Sequence, residues 1–274
     1  MGKSWLIASG KGGVGKSTIA ACLGLGLAQL GQDVCIVDAD IGLRDQDAIL
    51  GMTDRVVYDL MDVVSKRCRL EQALLTTEVH ERLTLLPAAQ FARCKDLKGP
   101  DFTRVMKELK RSKDHVIIDC PAGIEHGLRS LLHDPADEVI LITTPDDICM
   151  RDCERTSMVV TGKHQPRPRL IVNRLDEALI RAHEMYSAQV VSETMDLALL
   201  GEIPEDQSVY RAALTHRTAM ELDCPASRAM MRIAHRMLGE EVPLPMLGTA
   251  VLPWYKRLFD RGPSALITKE VNRT

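Results

Sequence analysis

Aromatic residues are scarce in this sequence. Two Trp, four Tyr and three Phe amount to 3% of 274 residues, against 45% apolar residues in all. A packed interior must therefore be filled by Leu, Ile, Val, Ala and Met. No stretch approaches the ~20 consecutive apolar residues of a bilayer span, so a transmembrane helix is excluded. Excess positive charge is also missing: 35 Lys and Arg face 38 Asp and Glu, the net charge is −3 and the sequence pI is about 6.3. A global positive field that would hold nucleic acid is absent, and no nucleic-acid partner is expected. The eight cysteines form no CxxC pair. Cys35 in VCIVD and Cys120 in VIIDC sit inside apolar runs. They read as buried, reduced thiols of a cytoplasmic protein, not as a disulfide framework or a metal site. No internal repeat or low-complexity tract is present. The short apolar run in MGKSWLIASGKGG leads straight into a glycine loop and reads as a first strand, since a signal peptide needs a longer run and a cleavage site.

What is there is an alternation. Strand-length apolar runs at 5–8, 34–37, 83–86, 116–118, 139–142, 170–172 and 199–201 are separated by helical patterns at 16–30, 57–64, 102–111, 147–161, 187–194 and 226–238. Gly31 is a natural C-cap for the first helix. This order predicts an α/β fold, doubly wound, with a mainly parallel sheet and helices on both faces. The composition shifts after Gly239, where VPLPMLGTAVLP carries three prolines and little helical period. The expected division is a domain over 1–241, a linker over 242–252, and an appendage over 253–274.

The strongest local signal is Gly10-Lys11-Gly12-Gly13-Val14-Gly15-Lys16-Ser17-Thr18, which fits GxxxxGK[ST] between an apolar strand and a helix. Glycines let successive N–H groups, from Gly12 and Gly13 through Val14 and Gly15 to Thr18, turn onto phosphate oxygens, and the helix N-terminus adds partial positive charge. Lys16 can reach the β- and γ-phosphates, and the Ser17 hydroxyl can ligate Mg²⁺. The cofactors implied are ATP and Mg²⁺. CIVDAD delivers Asp38 and Asp40 to a strand end, where ligands of open α/β sheets bind; two carboxylates there suit outer-sphere Mg²⁺ and orientation of an attacking water. Asp119 ends the apolar strand of HVIIDCPAG, as a Walker-B acid does, with Gly123 just beyond it. Asn173 ends RLIVN and is placed to bond a base.

Lys11 is not needed by a plain phosphate loop. With it, GKGGVGKST resembles the deviant loop of the MinD/ParA ATPases. The resemblance implies that Lys11 reaches across a homodimer to the partner's nucleotide, so that two ATP molecules are sandwiched between subunits. It implies that Asp40 positions or activates water, that Asp38 and Asp119 support the metal, and that Gly123 lies in the loop sensing the γ-phosphate. It also gives Asn173, with Pro204 and Glu205 of IPED, the base contact. Lys11, Lys16 and Asp40 are thus the expected catalytic residues. DADIGLRDQD, RVVYDLMDVVSKRCRLEQALL, LLPAAQ, DCPAGIEHG and LGEEVPL are similar to the MinD branch of that family, over Gly2 to Leu244. That branch positions the division septum from the inner face of the cell membrane. The chain departs from it at Asp45, where Asn is usual and where an acid adds repulsion near the phosphates or the dimer seam.

Two further features follow from the resemblance. Arg151 and Asp152 match the helix that meets a MinC-like division inhibitor and a MinE-like regulator. Residues 253–261, PWYKRLFDR, match a short amphipathic helix that lies on anionic membrane lipid. In it Trp254, Tyr255, Leu258 and Phe259 pair at i, i+4, and Lys256 suits anionic headgroups. Three of the nine aromatics of the chain fall within these six positions, 254 to 259. A helix this short is marginal alone, so paired copies on a dimer would bind by avidity. The expected activity is ATP hydrolysis with low intrinsic, partner-stimulated turnover. The rival reading is a ParA-type partition ATPase on DNA, which would use the same loop.

Overall fold

The computed structural model describes residues 1–123 and 126–248. Eight strands form one sheet: β1 (Lys3–Ser9), β2 (Val34–Asp38), β3 (Leu75–Thr76), β4 (Leu83–Leu86), β5 (His115–Asp119), β6 (Glu138–Thr143), β7 (Arg169–Leu175) and β8 (Ala198–Pro204). The helices are α1 (Lys16–Gln29), α2 (Gln46–Ile49), α3 (Leu60–Val64), α4 (Leu70–Ala73), α5 (Gly99–Ser112), α6 (His126–Leu131), α7 (Asp147–Thr161), α8 (Glu177–Arg181), α9 (Ala188–Met195), α10 (Gln207–Leu214) and α11 (Pro225–Met237). The strand order is β3-β4-β2-β5-β1-β6-β7-β8, and only β3 runs antiparallel to its neighbour. This is the doubly wound, mainly parallel sheet that the alternation predicts.

The strands read as unbroken apolar runs because both of their faces are covered. Every residue of β2, β4 and β5 is buried. One face of the sheet packs with α1 and α11, through residues such as Ile19, Leu23, Leu27, Met230 and Ile233. The other packs with α3, α5, α7 and α9, through Leu60, Phe102, Val105, Cys153 and Val191. Trp5 illustrates the cost of a polar atom inside such a core. It is fully buried, and its indole N–H donates to His115 Nδ1 at 3.0 Å.

All seven expected strands and all six expected helices are present, most with ends shifted by a few residues. The segment expected to be helical from Val57 starts at Leu60, because Asp59 caps it by accepting the Met61 and Asp62 amides. The sequence pattern misses β3 and the helices α2, α4, α6, α8 and α10. Most are four to six residues long, too short to show a period. In α10 only Ala212 is buried, while Tyr210 and Leu214 face solvent.

After Gly239 the chain is irregular, as its prolines suggest, yet it is fastened to β8. The Arg236 guanidinium donates to the carbonyls of Leu200, Val242 and Pro243, and the Leu247 amide donates to the Glu202 carboxylate at 2.9 Å. The segment with Trp254, Tyr255, Lys256, Leu258 and Phe259 lies outside the described residues.

Candidate nucleotide site

Strand β1 lies between β5 and β6, where the winding of the sheet reverses. A crevice opens at such a switch point, beyond the carboxyl ends of the strands. The glycine loop leaves β1 at this point and runs into α1. Gly13 and Gly15 have φ of 84° and 93°, which only glycine adopts freely. Among the described residues, the backbone amides from 12 to 18 donate to no backbone acceptor outside α1, so they remain available to an anion.

The loop is braced on two sides. Asn173, at the end of β7, donates from Nδ2 to the Val14 carbonyl at 2.8 Å. Gly10 lies against α7, where a Cβ would stand 2.1 Å from the backbone carbonyl carbon of Asp152. Backbone cannot yield as a flexible side chain can. Gly10→Ala is therefore expected to destabilise the chain without nucleotide by about 1–3 kcal/mol. Gly12→Ala meets only Ala122 Cβ at 4.0 Å and should not. Urea unfolding of both variants checks this; equal stabilities would mean that the contact does not constrain the loop.

Parallel pairing assembles the acids. Asp38 of β2 and Asp119 of β5 are direct register partners, although 81 positions separate them in the chain. Both are fully buried. Lys16 Nζ donates to Asp119 Oδ1 at 2.5 Å and to Ser17 Oγ at 3.1 Å. Burial disfavours the charged form of Lys16, but Asp119 outweighs that effect and holds the ammonium above its ordinary pKa. Burial, and then Asp119, pushes the Asp38 carboxyl up to about 8, against hydrogen bonds from the Gln46 and Asp40 amides. Burial pushes Asp40 up to about 6; Lys16 opposes this, while Asp119 and Asp45 add to it. Carboxylates crowded this way favour the arrival of a cation.

Lys11 differs from Lys16. It is exposed at the loop's outer edge, while Lys16 is buried. Gly123, with φ of 81°, donates its amide to the Ser9 carbonyl and so holds the loop after β5 beside the phosphate loop. A cleft of about 660 Å³ adjoins the loop, lined by Gly15, Thr18, Asn173, Pro204, Glu205 and Tyr210 among others. Its size and mixed lining suit a nucleoside. Arg151 and Asp152 lie on α7, whose backbone at Asp152 meets Gly10. Arg151 is exposed, and the Asp152 carboxylate pairs with Arg155 at 3.5 Å.

The sequence did not reveal Gln46, Arg174 or Tyr210. Gln46 is fully buried, and donates from Nε2 to Asp119 Oδ2 at 2.7 Å and to the Ser17 carbonyl at 2.9 Å. Arg174 and Tyr210 line the cleft. No residue-type signal marks them, because each enters through tertiary placement.

The donor set fits Mg²⁺ with nucleotide. Among the described residues, no three His, Cys, Asp or Glu side chains stand close enough to hold a metal by themselves. A hydroxyl, two carboxylates and unpaired amides instead match an ion that keeps most of its waters and shares phosphate oxygens. The buried Gln46 Oε1 has no partner and lies in this cluster.

A phosphate loop at the switch point of a doubly wound sheet, with a lysine and a strand-end acid converging on it, defines a P-loop ATPase. The family model of ParA, described as NUBPL iron-transfer P-loop NTPase, matches residues 1–238. The septum site-determining protein MinD of Bacillus subtilis (strain 168) is 40% identical over 252 residues, which cover 90% of this chain and 93% of that protein. The chain belongs to the MinD septum site-determining proteins, within the ParA family of P-loop ATPases. It superposes on a chain of the MinC:MinD cell division protein complex of Aquifex aeolicus with a TM-score of 0.82, at 32% identity, over 90% of this chain and 100% of that one. MinD of Pyrococcus horikoshii OT3 complexed with Mg-ADP gives a TM-score of 0.76 at 29% identity, over 86% and 96%.

Proposed function

We propose that this ATPase dimerises on binding ATP, binds the membrane in that state, and helps to position the division septum by recruiting a MinC-like inhibitor. The observation that carries this reading is the division of labour between two lysines of one loop. Lys16 is buried beside its own metal-site acid, while Lys11 is exposed. An exposed charge at the outer edge of a phosphate loop supports a role at a second subunit's nucleotide.

In this reading the amides of Gly12 to Thr18 and the Lys16 ammonium hold the β- and γ-phosphates. Ser17, Asp38 and Asp119 would hold Mg²⁺ directly or through water, and the ion would supply charge neutralisation to the phosphates. Asp40 orients the attacking water and accepts its proton, and a carboxyl pushed up to about 6 is suited to that exchange near neutral pH. Gly123 reports the γ-phosphate, and Asn173, Pro204 and Glu205 receive the base. Turnover is low until a MinE-like regulator engages the dimer. The MinC:MinD complex of Aquifex aeolicus supports a MinC-type partner, and Arg151 and Asp152 on α7 are its proposed contact. Anionic lipid would meet Trp254, Tyr255, Lys256, Leu258 and Phe259. The place of action is the cytoplasmic face of the membrane; no described helix is long and apolar enough to cross it.

Co-sedimentation of the full chain with anionic liposomes, in ATP and in ADP, tests the proposal. ATP should carry the protein into the lipid pellet and ADP should not. Leu258→Glu should leave it in the supernatant. A protein that ignores lipid in ATP and instead binds duplex DNA would be a partition ATPase, and the division-site reading would fail.

A further inference from the structure

Gln46 is buried without an apolar reason. It is the first residue of α2, eight positions after Asp38, and none of its surface is exposed. Its side-chain amide has two partners, Asp119 Oδ2 and the Ser17 carbonyl. Both are acceptors, so the orientation of the amide is determined: exchanging nitrogen and oxygen would set an oxygen against two others. Its backbone amide donates to Asp38 Oδ2 at 3.1 Å. One residue therefore contacts the carboxylates of Asp38 and Asp119 and the backbone of Ser17, the three residues expected to surround the metal. Its Oε1 is left buried with no hydrogen-bond donor.

A buried amide oxygen without a donor is costly, and such groups in native proteins are commonly met by ordered water or by a ligand. No side chain donates to it among the described residues. Lys16 is already engaged with Asp119 and Ser17. A hydrated Mg²⁺ would bring donors, since it keeps several waters whose protons are polarised by the ion. Residues that receive such protons orient the direct ligands and tune affinity.

We infer that Gln46 is a positioning residue for the metal–nucleotide complex, holding Asp119 and the 38–47 segment against the phosphate loop and accepting a hydrogen bond from a metal-bound water through Oε1. This rests on the reading of the site as a Mg-nucleotide site. The inference goes further in making Gln46 the link between the β2–α2 segment and the metal. When phosphate draws Lys16 away from Asp119, the hydrogen bond from Gln46 keeps that carboxylate in place. Removing the amide should weaken the contribution of the metal and leave the phosphate cradle intact.

The test is calorimetric titration of the full chain with ADP, once with Mg²⁺ and once with excess chelator, for wild type, Gln46→Leu and Gln46→Met. Both variants keep the volume of the side chain and remove its polar atoms. Affinity for ADP in chelator should stay within about twofold of wild type, while the gain on adding Mg²⁺ should shrink by about tenfold. Both variants should melt somewhat earlier without nucleotide, because Asp119 Oδ2 and the Ser17 carbonyl each lose a donor. A purely structural role predicts equal losses of ADP affinity with and without the metal. An undiminished Mg²⁺ gain in either folded variant overturns the inference. A wild type whose ADP affinity ignores Mg²⁺ overturns the site reading itself, and the role of Gln46 with it.

Discussion

Replacing Lys16 with alanine is expected to lower the affinity for Mg-ADP by about 100-fold or more. Hydrogen bonds to charged groups contribute about 1.5–3 kcal/mol each, and Lys16 is the one buried ammonium of the loop. The same change strands Asp119, which is fully buried and loses its ion-pair partner. Breaking a buried pair costs about 3–5 kcal/mol, an upper figure here because a stranded carboxylate can take up a proton. The variant should therefore also melt earlier without nucleotide. Adding Asp119→Asn should recover much of the stability and none of the binding, which separates the two effects. Calorimetric titration together with thermal melts reads both. An alanine variant that binds Mg-ADP within threefold of wild type would remove Lys16 from the phosphate site.

Asp40→Asn is expected to slow ATP hydrolysis by about 10²–10⁴-fold, the usual contribution of a positioned acid–base group. It should leave ATP-dependent dimerisation in place. Asp40 follows β2 and stands near Lys16, Asp119 and Asp45, but it makes no hydrogen bond to the phosphate loop through its side chain among the described residues. Its loss should thus disturb the chemistry of water more than the binding of phosphate. Single-turnover hydrolysis and light scattering in ATP measure the two properties on one sample. An Asp40→Asn protein that stays monomeric in ATP would assign Asp40 to the dimer, not to catalysis. Persistent dimers with unchanged hydrolysis would release it from both roles.

These two variants probe groups that differ in how they can be read. Lys16 is legible in the sequence because a phosphate loop is built from consecutive residues whose backbone does the binding. Its glycines and lysine need only a strand before them and a helix after them, and both are announced by apolar patterning. Asp38 and Asp119 are also legible, since an acid directly after an apolar strand lands at a carboxyl edge in any parallel sheet. Gln46 is not. It lies in a polar, four-residue helix with no period, and its burial comes from β2 and β5 pairing in register. Tyr210 is exposed on a helix that buries only Ala212, so no amphipathic stripe announces α10 or the cleft wall it forms.

The sequence by itself determined the fold class, the place of the phosphate-loop motif along the chain, and the family. Each depends on local order along the chain: strand, glycine loop, helix, then acids at strand ends. Only the tertiary structure decided which acids meet, because register between β2 and β5 brings Asp38 opposite Asp119. It also decided that the two lysines of one loop part company. They stand five positions apart, yet Lys16 begins α1 and turns inward to Asp119 while Lys11 stays at the surface. The segment from Val242 to Gly248, which its prolines mark as a linker, is held to β8 by Arg236 and Glu202. In each case the reason is the same. Burial and pairing between distant segments are properties of the packed chain, and no window of sequence contains both partners.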